Sequence, residues 1–242
     1  MSINWAGYVA NGASFSDVRA TWTQPAVRCL DPSGRRISSS SGFWIGLGGA
    51  SFSSAGLEQT GTAADCTGGT AHYDAWYEIL PAPETPISFA VHPGDEIFAE
   101  VNVADGIAAF TLRNLTTGAA FTHEDPVRFP AVDSAEWIAE APSACRLDGS
   151  CHTLPLSHFG AILFRGASAT ADAHTGTISD HAWSIDAVRL AARTGSFSAR
   201  PSDLSADGSS FSVATEGPRV KTPLPDVAGR LPVSLLLPAS GS

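Results

Sequence analysis

The stretch His72-Tyr73-Asp74-Ala75-Trp76-Tyr77-Glu78-Ile79 alternates in character with a period of two. In an extended chain successive side chains point to opposite faces. Asp74, Trp76 and Glu78 therefore share one face, and Tyr73 and Tyr77 share the other. The same alternation predicts strands over residues 3–9, 18–23, 43–47, 57–60, 97–103, 110–114, 136–140, 160–164, 183–190 and 211–214. Turn signals separate these runs: Asn11-Gly12, Pro32-Ser33-Gly34, Gly48-Gly49, Pro93-Gly94-Asp95, Thr117-Gly118 and Asp207-Gly208. No window supports an amphipathic helix longer than about three turns. Many short strands between frequent turns predict an all-β sandwich or barrel.

Composition narrows the class further. The chain has 242 residues, enough to bury a core without metals or staples, and its 43% hydrophobic content excludes intrinsic disorder. A formal charge of −10 argues against a nucleic-acid partner, which would want a basic face. No run approaches a membrane span; residues 231–237 are too short and contain Pro232. Lys221 is the sole lysine among 14 basic residues. That pattern fits an acid environment, where few fixed positive charges limit self-repulsion, and equally fits a compositional bias toward Arg. Residues 1–215 read as one domain. From 216 to 242, five prolines punctuate a segment without sustained alternation, read as a tail that is mobile or draped on the domain.

Cys29, Cys66, Cys145 and Cys151 make an even count in a turn-rich chain, which points to disulfides and an oxidising compartment. Cys145 and Cys151 are close enough to close a small loop, leaving Cys29 for Cys66; buried free thiols are the alternative. The first residues carry no basic stretch followed by a long apolar run. With disulfides, the expectation is the mature form of a secreted protein; with free thiols, a cytosolic one. Asn114-Leu115-Thr116 is a glycosylation sequon of the kind that arises often by chance.

Two short strings carry chemistry. Glu58-Gln59-Thr60-Gly61 offers a side-chain amide and Ala135-Glu136-Trp137-Ile138 a lone carboxylate, each inside a strand-like run. A carboxylate can activate a water and later return the proton. An amide does not titrate, so it can hold that water and donate to a developing oxyanion at any pH. Together they suffice to hydrolyse a peptide bond in acid. Other hydrolase signatures are missing: the sequence has no G-x-S-x-G, no H-E-x-x-H, and neither D-T-G nor D-S-G. The spacing of Cys145, Cys151, His152 and His158 matches no standard zinc pattern, so no metal and no cofactor is expected. The face bearing Asp74, Trp76 and Glu78 can line a groove for a peptide or a sugar, or be an ordinary solvent face. Glu78 and Glu136 facing each other would also serve a glycoside hydrolase, and the aromatics alone a non-catalytic binding module.

Eight strings in one order, from about residue 4 to 215, resemble the glutamic peptidase (eqolisin) family. They are Asn4-Trp5-Ala6-Gly7-Tyr8-Val9, Phe43-Trp44-Ile45-Gly46, Leu57-Glu58-Gln59-Thr60-Gly61, Ala75-Trp76-Tyr77-Glu78, Pro93-Gly94-Asp95, Asn114-Leu115-Thr116-Thr117-Gly118, Ala135-Glu136-Trp137-Ile138 with Glu140, and the segment 201–213. The resemblance implies a sandwich of two curved antiparallel sheets with a concave substrate groove, and a monomer that cleaves polypeptides in acid without metal or cofactor. It implies catalytic roles for Gln59 and Glu136, with Trp44, Trp76 and Glu78 lining the groove. The chain departs from the family where Leu47-Gly48-Gly49 supplies no acid after the W-I-G string. It departs again where Thr62-Ala63-Ala64 delays the acid after Q-T-G to Asp65. Glu58 has no family match, and on a strand it faces away from Gln59.

Overall fold

A computed structural model describes residues 2, 4–50, 56–127, 132–145, 150–191 and 197–217. Among them there is no helix. The strands are β1 (Trp5–Asn11), β2 (Phe15–Thr23), β3 (Gly42–Gly48), β4 (Leu57–Thr67), β5 (Thr70–Ile79), β6 (Thr85–Ile87), β7 (Glu96–Ala104), β8 (Ile107–Asn114), β9 (Ala120–Pro126), β10 (Ser134–Glu140), β11 (Ser143–Cys145), β12 (Cys151–Thr153), β13 (Ala161–Ala171), β14 (His174–Thr177), β15 (Ser184–Val188), β16 (Ser198–Pro201) and β17 (Phe211–Glu216).

Two large antiparallel sheets account for most of them. One runs β15-β1-β10-β3-β4-β5-β6 and the other β16-β17-β13-β2-β7-β8-β9, with β14 attached to β13. An isolated bridge from Leu190 to Ala199 ties the β15 edge to the β16 edge, and at the other edge no pairing joins β6 to β9 among the described residues, so the fold is a sandwich and not a closed barrel. Period-two alternation supplies the core. Tyr8, Phe43, Ile45, Leu47 and Trp137 of the first sheet pack against Val18, Trp22, Ile97, Phe110, Phe164 and Phe211 of the second. Polar atoms that reach this layer are paired, as burial requires. Trp22 donates its Nε1–H to Thr62 Oγ1 (3.1 Å), Thr62 donates onward to Gln24 Oε1 (2.6 Å), and Trp137 Nε1 donates to the Arg19 carbonyl (3.0 Å).

A second apolar cluster, Val9, Trp44, Leu57, Trp76 and Ile138, lies on the reverse of the first sheet. The central strands β3 and β10 are thus buried on both faces, apart from half-buried Glu140 at the end of β10. Disulfides join Cys29 to Cys66, at the far end of β4, and Cys145 to Cys151, across the β11–β12 pair.

The strands extend beyond their sequence signals for identifiable reasons. β13 continues past 164 through Gly166, where the register shifts between Arg165 and Ser168 and the alternation is lost. β9 went unpredicted because its Ala-Phe-Thr-His-Glu-Asp-Pro reads as loop; it is a half-exposed edge strand, where acids and a terminal Pro are tolerated. The expected strand over 183–190 shortens to β15. Two of the strings quoted above meet in space. Asn114 is fully buried and donates to Asp95 Oδ2 (2.7 Å), while its Oδ1 accepts from the N–H groups of Thr116 and Thr117 (3.1 Å each). The sequon asparagine is therefore a buried tie between turns, with no free amide for a glycan. Of the tail expected over 216–242, Glu216 closes β17, and 218–242 lie outside the described residues.

Candidate active site

In an antiparallel sheet, residues directly opposite each other share a face. The registers of β1, β10, β3, β4 and β5 place Val9, Glu136, Gly46, Gln59 and Glu78 in one cross-strand row. The next row is Gly7, Ile138, Trp44, Gly61 and Trp76, and the one after is Trp5, Glu140, Gly42, Ala63 and Asp74. All three rows lie on the face of the first sheet that turns away from the second sheet. Gln59, Glu136, Trp44, Asp74, Trp76 and Glu78 are therefore brought to one face, from four strands.

Glu136 and Gln59 stand two strands apart, about 10 Å along the row. Gly46 between them puts no side chain in the way. A Cβ there would meet Gln59 Cβ, Glu58 O and Leu57 Cδ1, each at 3.0 Å. Gly61 plays the same part in the next row, where a Cβ would stand 2.2 Å from the Phe43 carbonyl and 2.6 Å from Trp44 Cβ. Large side chains thus alternate with glycines across the face. Trp44, flanked edge-on by Trp5 with ring centroids 5.0 Å apart, and Trp76 lie beside the row that carries Gln59 and Glu136.

The middle of the face is buried. Glu136 is fully buried and Gln59 is 5% exposed. Both Glu136 carboxyl oxygens and Gln59 Oε1 are buried without a hydrogen-bond partner among the described residues. Burial drives the Glu136 pKa well above the ordinary carboxylate value, against the lowering effect of the neighbouring Ser134 hydroxyl, and the nearby acids Asp133 and Glu58 push it up further. Gln59 Nε2 donates to Glu78 Oε2. The Glu78 pKa is also raised, chiefly by burial and further by Glu84, against the lowering effect of the Gln59 hydrogen bond.

Two rows further on, Glu140 accepts from Asn4 Nδ2 (2.7 Å) and Trp44 Nε1 (2.8 Å). Its pKa is pushed up to about 7, mainly by burial. Glu140 belonged to a quoted string, but its partnership with Asn4 was not legible, because 136 residues of chain separate the two. Asp65 does not replace the missing acid near Gln59. It sits three rows along the same strand face, about 20 Å away, opposite His72. Its pKa is raised by burial, with like charge from Asp74 adding to that. Glu58 faces the inter-sheet side and is buried there. Asp74 is exposed at the margin of the face.

The model of the Peptidase A4 family matches residues 3–207. Aspergillopepsin-2 of Aspergillus niger is 28% identical over 193 residues, covering 72% of this chain and 66% of that relative, just under two thirds of its length. The crystal structure of scytalido-glutamic peptidase with a transition state analog inhibitor superposes with a TM-score of 0.72 at 26% identity, covering 89% of this chain and 99% of that one. Aspergilloglutamic peptidase from Aspergillus niger gives 0.60 at 26% identity, over 74% of this chain and 99% of that one. With a family match across most of its length and a sandwich shared with two solved glutamic peptidases, the chain belongs to the Peptidase A4 family.

Proposed function

We propose that this protein is a secreted acid endopeptidase that hydrolyses polypeptides with Glu136 and Gln59, without a covalent intermediate. One observation carries the reading: Glu136, Gly46 and Gln59 occupy a single cross-strand row on the face that also holds Trp44 and Trp76. Ionised Glu136 takes a proton from a water as it attacks the scissile carbonyl. The Gln59 amide donates to the tetrahedral oxygen, and protonated Glu136 delivers its proton to the leaving nitrogen. Trp44, Trp76 and the exposed Asp74 are assigned to the substrate groove. The proton balance closes on one carboxyl group.

The test is cleavage of a denatured protein across pH 2–7, with pepstatin and a chelator as controls. Cleavage resistant to both is expected. Gln59→Ala should cost on the order of 100–1,000-fold, the usual loss for an oxyanion donor, and Glu136→Ala nearly all activity. Substantial turnover by either folded variant refutes its assigned role. A glycoside hydrolase built on Glu78 and Glu136 predicts the reverse for Gln59→Ala, and turnover of a polysaccharide.

A further inference from the structure

An amide has two unlike ends. Nε2–H donates and Oε1 accepts, so the neighbour that engages one end decides what the other end offers. On the β5 side of Gln59 stands Glu78, which receives the Nε2–H. Oε1, the end that Glu78 does not hold, is buried and without a partner among the described residues. On the β3 side Gly46 contributes no side chain, and beyond it lies Glu136, whose two oxygens are also buried without a partner. The amino end of Gln59 is therefore held at Glu78 by one of its two N–H groups, while three acceptor oxygens in the row are buried without a partner among the described residues. Leaving buried acceptors unpaired is costly, so a second arrangement of the same three residues competes with this one.

We infer that Glu78 is a positioning residue whose protonation sets which end of the Gln59 amide is turned toward Glu136. This rests on the Glu136–Gln59 reading above and supplies its regulation. Ionised Glu78 is acceptor-only, so it keeps the amino end of the Gln59 amide turned toward itself. Protonated Glu78 has a hydroxyl to donate. It gives that hydrogen to Gln59 Oε1, the amide makes a half turn, and Nε2 is released to the Glu136 side. No covalent bond changes.

The consequence falls on Glu136. Burial, helped by the like charges of Asp133 and Glu58, holds its carboxyl protonated well above the ordinary range; a donor turned toward it favours the ionised form that acts as base. Acid thus switches the site on by protonating one carboxyl and thereby helping a second one to ionise. Among the described residues, the charged groups that act on Glu78 are the acids Glu84, from the β5–β6 connection, and Glu140 of β10; Glu136 shares its row three strands away, and Asp74 and, further along, Asp65 and His72 share its face. Glu84 and burial extend the protonated state of Glu78 upward in pH, so activity should fall as pH rises through that raised value.

The variant that tests this is Glu78→Gln, because glutamine keeps a donor at every pH, as the protonated acid does and the ionised acid does not. The pH profile of kcat/KM is measured on the full chain, with Glu78→Leu as the variant that offers no hydrogen bond. Glu78→Gln is expected to stay active, with its alkaline limb moved up by about one pH unit or more. Glu78→Leu should lose kcat at all pH values while melting as a folded protein. In the unsubstituted protein, the Gln59 side-chain NH2 resonances, assigned by their disappearance in Gln59→Ala, should shift with the pH dependence of the alkaline limb. An unmoved limb in Glu78→Gln, an inactive but folded Glu78→Gln, or Gln59 resonances blind to pH would each overturn the inference. Retained activity in Gln59→Ala would instead overturn the dyad itself, so the two failures are distinguishable.

Discussion

At the scale of single residues, the chain accepts a large local cost to place one carboxyl group. A fully buried Glu136 without a partner is expensive in its ionised form, and its raised pKa expresses that cost. Such groups concentrate at functional sites because the environment that destabilises them also tunes them. Glu136→Gln keeps the shape and removes the ionisation. Turnover should fall by at least about 1,000-fold, while the melting temperature at pH 7 should rise, since a buried charge no longer has to be accommodated. Activity assays paired with thermal melts check both halves; a variant that melts lower at pH 7 would contradict the burial argument. Gln59 and Glu136 were legible in the sequence because each sits in a quoted string. That both are closed off from solvent was not, since burial depends on which segments come to lie over a face.

At the scale of elements, the site depends on a strand that puts no side chain into the row of Glu136 and Gln59. β3 separates the strands bearing Glu136 and Gln59 and contributes a glycine to the row at that point. Gly46→Ala would bring a methyl group to 3.0 Å from Gln59 Cβ and from the Glu58 carbonyl oxygen. The Gln59 side chain must then shift by a few tenths of an ångström. We expect kcat to fall by about tenfold or more, a sensitivity typical of small misplacements at reacting groups, with a melting temperature lowered by only a few degrees. A kinetic profile unchanged by Gly46→Ala would show that the open position in the row is not needed. The W-I-G string contained this glycine, but its role follows from strand order. β3 lies between β10 and β4, although β10 follows them in the chain by some seventy residues. Similarly, Asp95 and Asn114 were visible as two separate turn strings, and only the β7–β8 pairing joins them.

At the scale of the whole molecule, stability and pH are linked through the acids of this face. Glu140 is tied to Asn4 and Trp44, and its pKa rises from 4.5 to about 7 on folding. A raised carboxylate contributes stability that is fully present below its unfolded value and lost as pH rises through its folded value. Glu78 and Glu136 act in the same direction. The melting temperature should therefore decline between about pH 4.5 and about pH 7, and Glu140→Gln should flatten part of that slope. A melting temperature that rises over this interval would overturn the linkage. The sequence by itself determined the fold class, because a period of two over many short runs leaves few ways to bury the apolar side chains other than packing sheets together. It also supplied the candidate residues proposed to carry the chemistry, because their strings are local. Tertiary structure alone decided that Glu136, Gln59 and Glu78 fall in one row, that Asn4 reaches Glu140, and that Asp65 lies far from the site. The physical reason is that register and strand order are set by pairing between distant segments, and a strand's own alternation specifies which face a side chain takes but not who stands beside it.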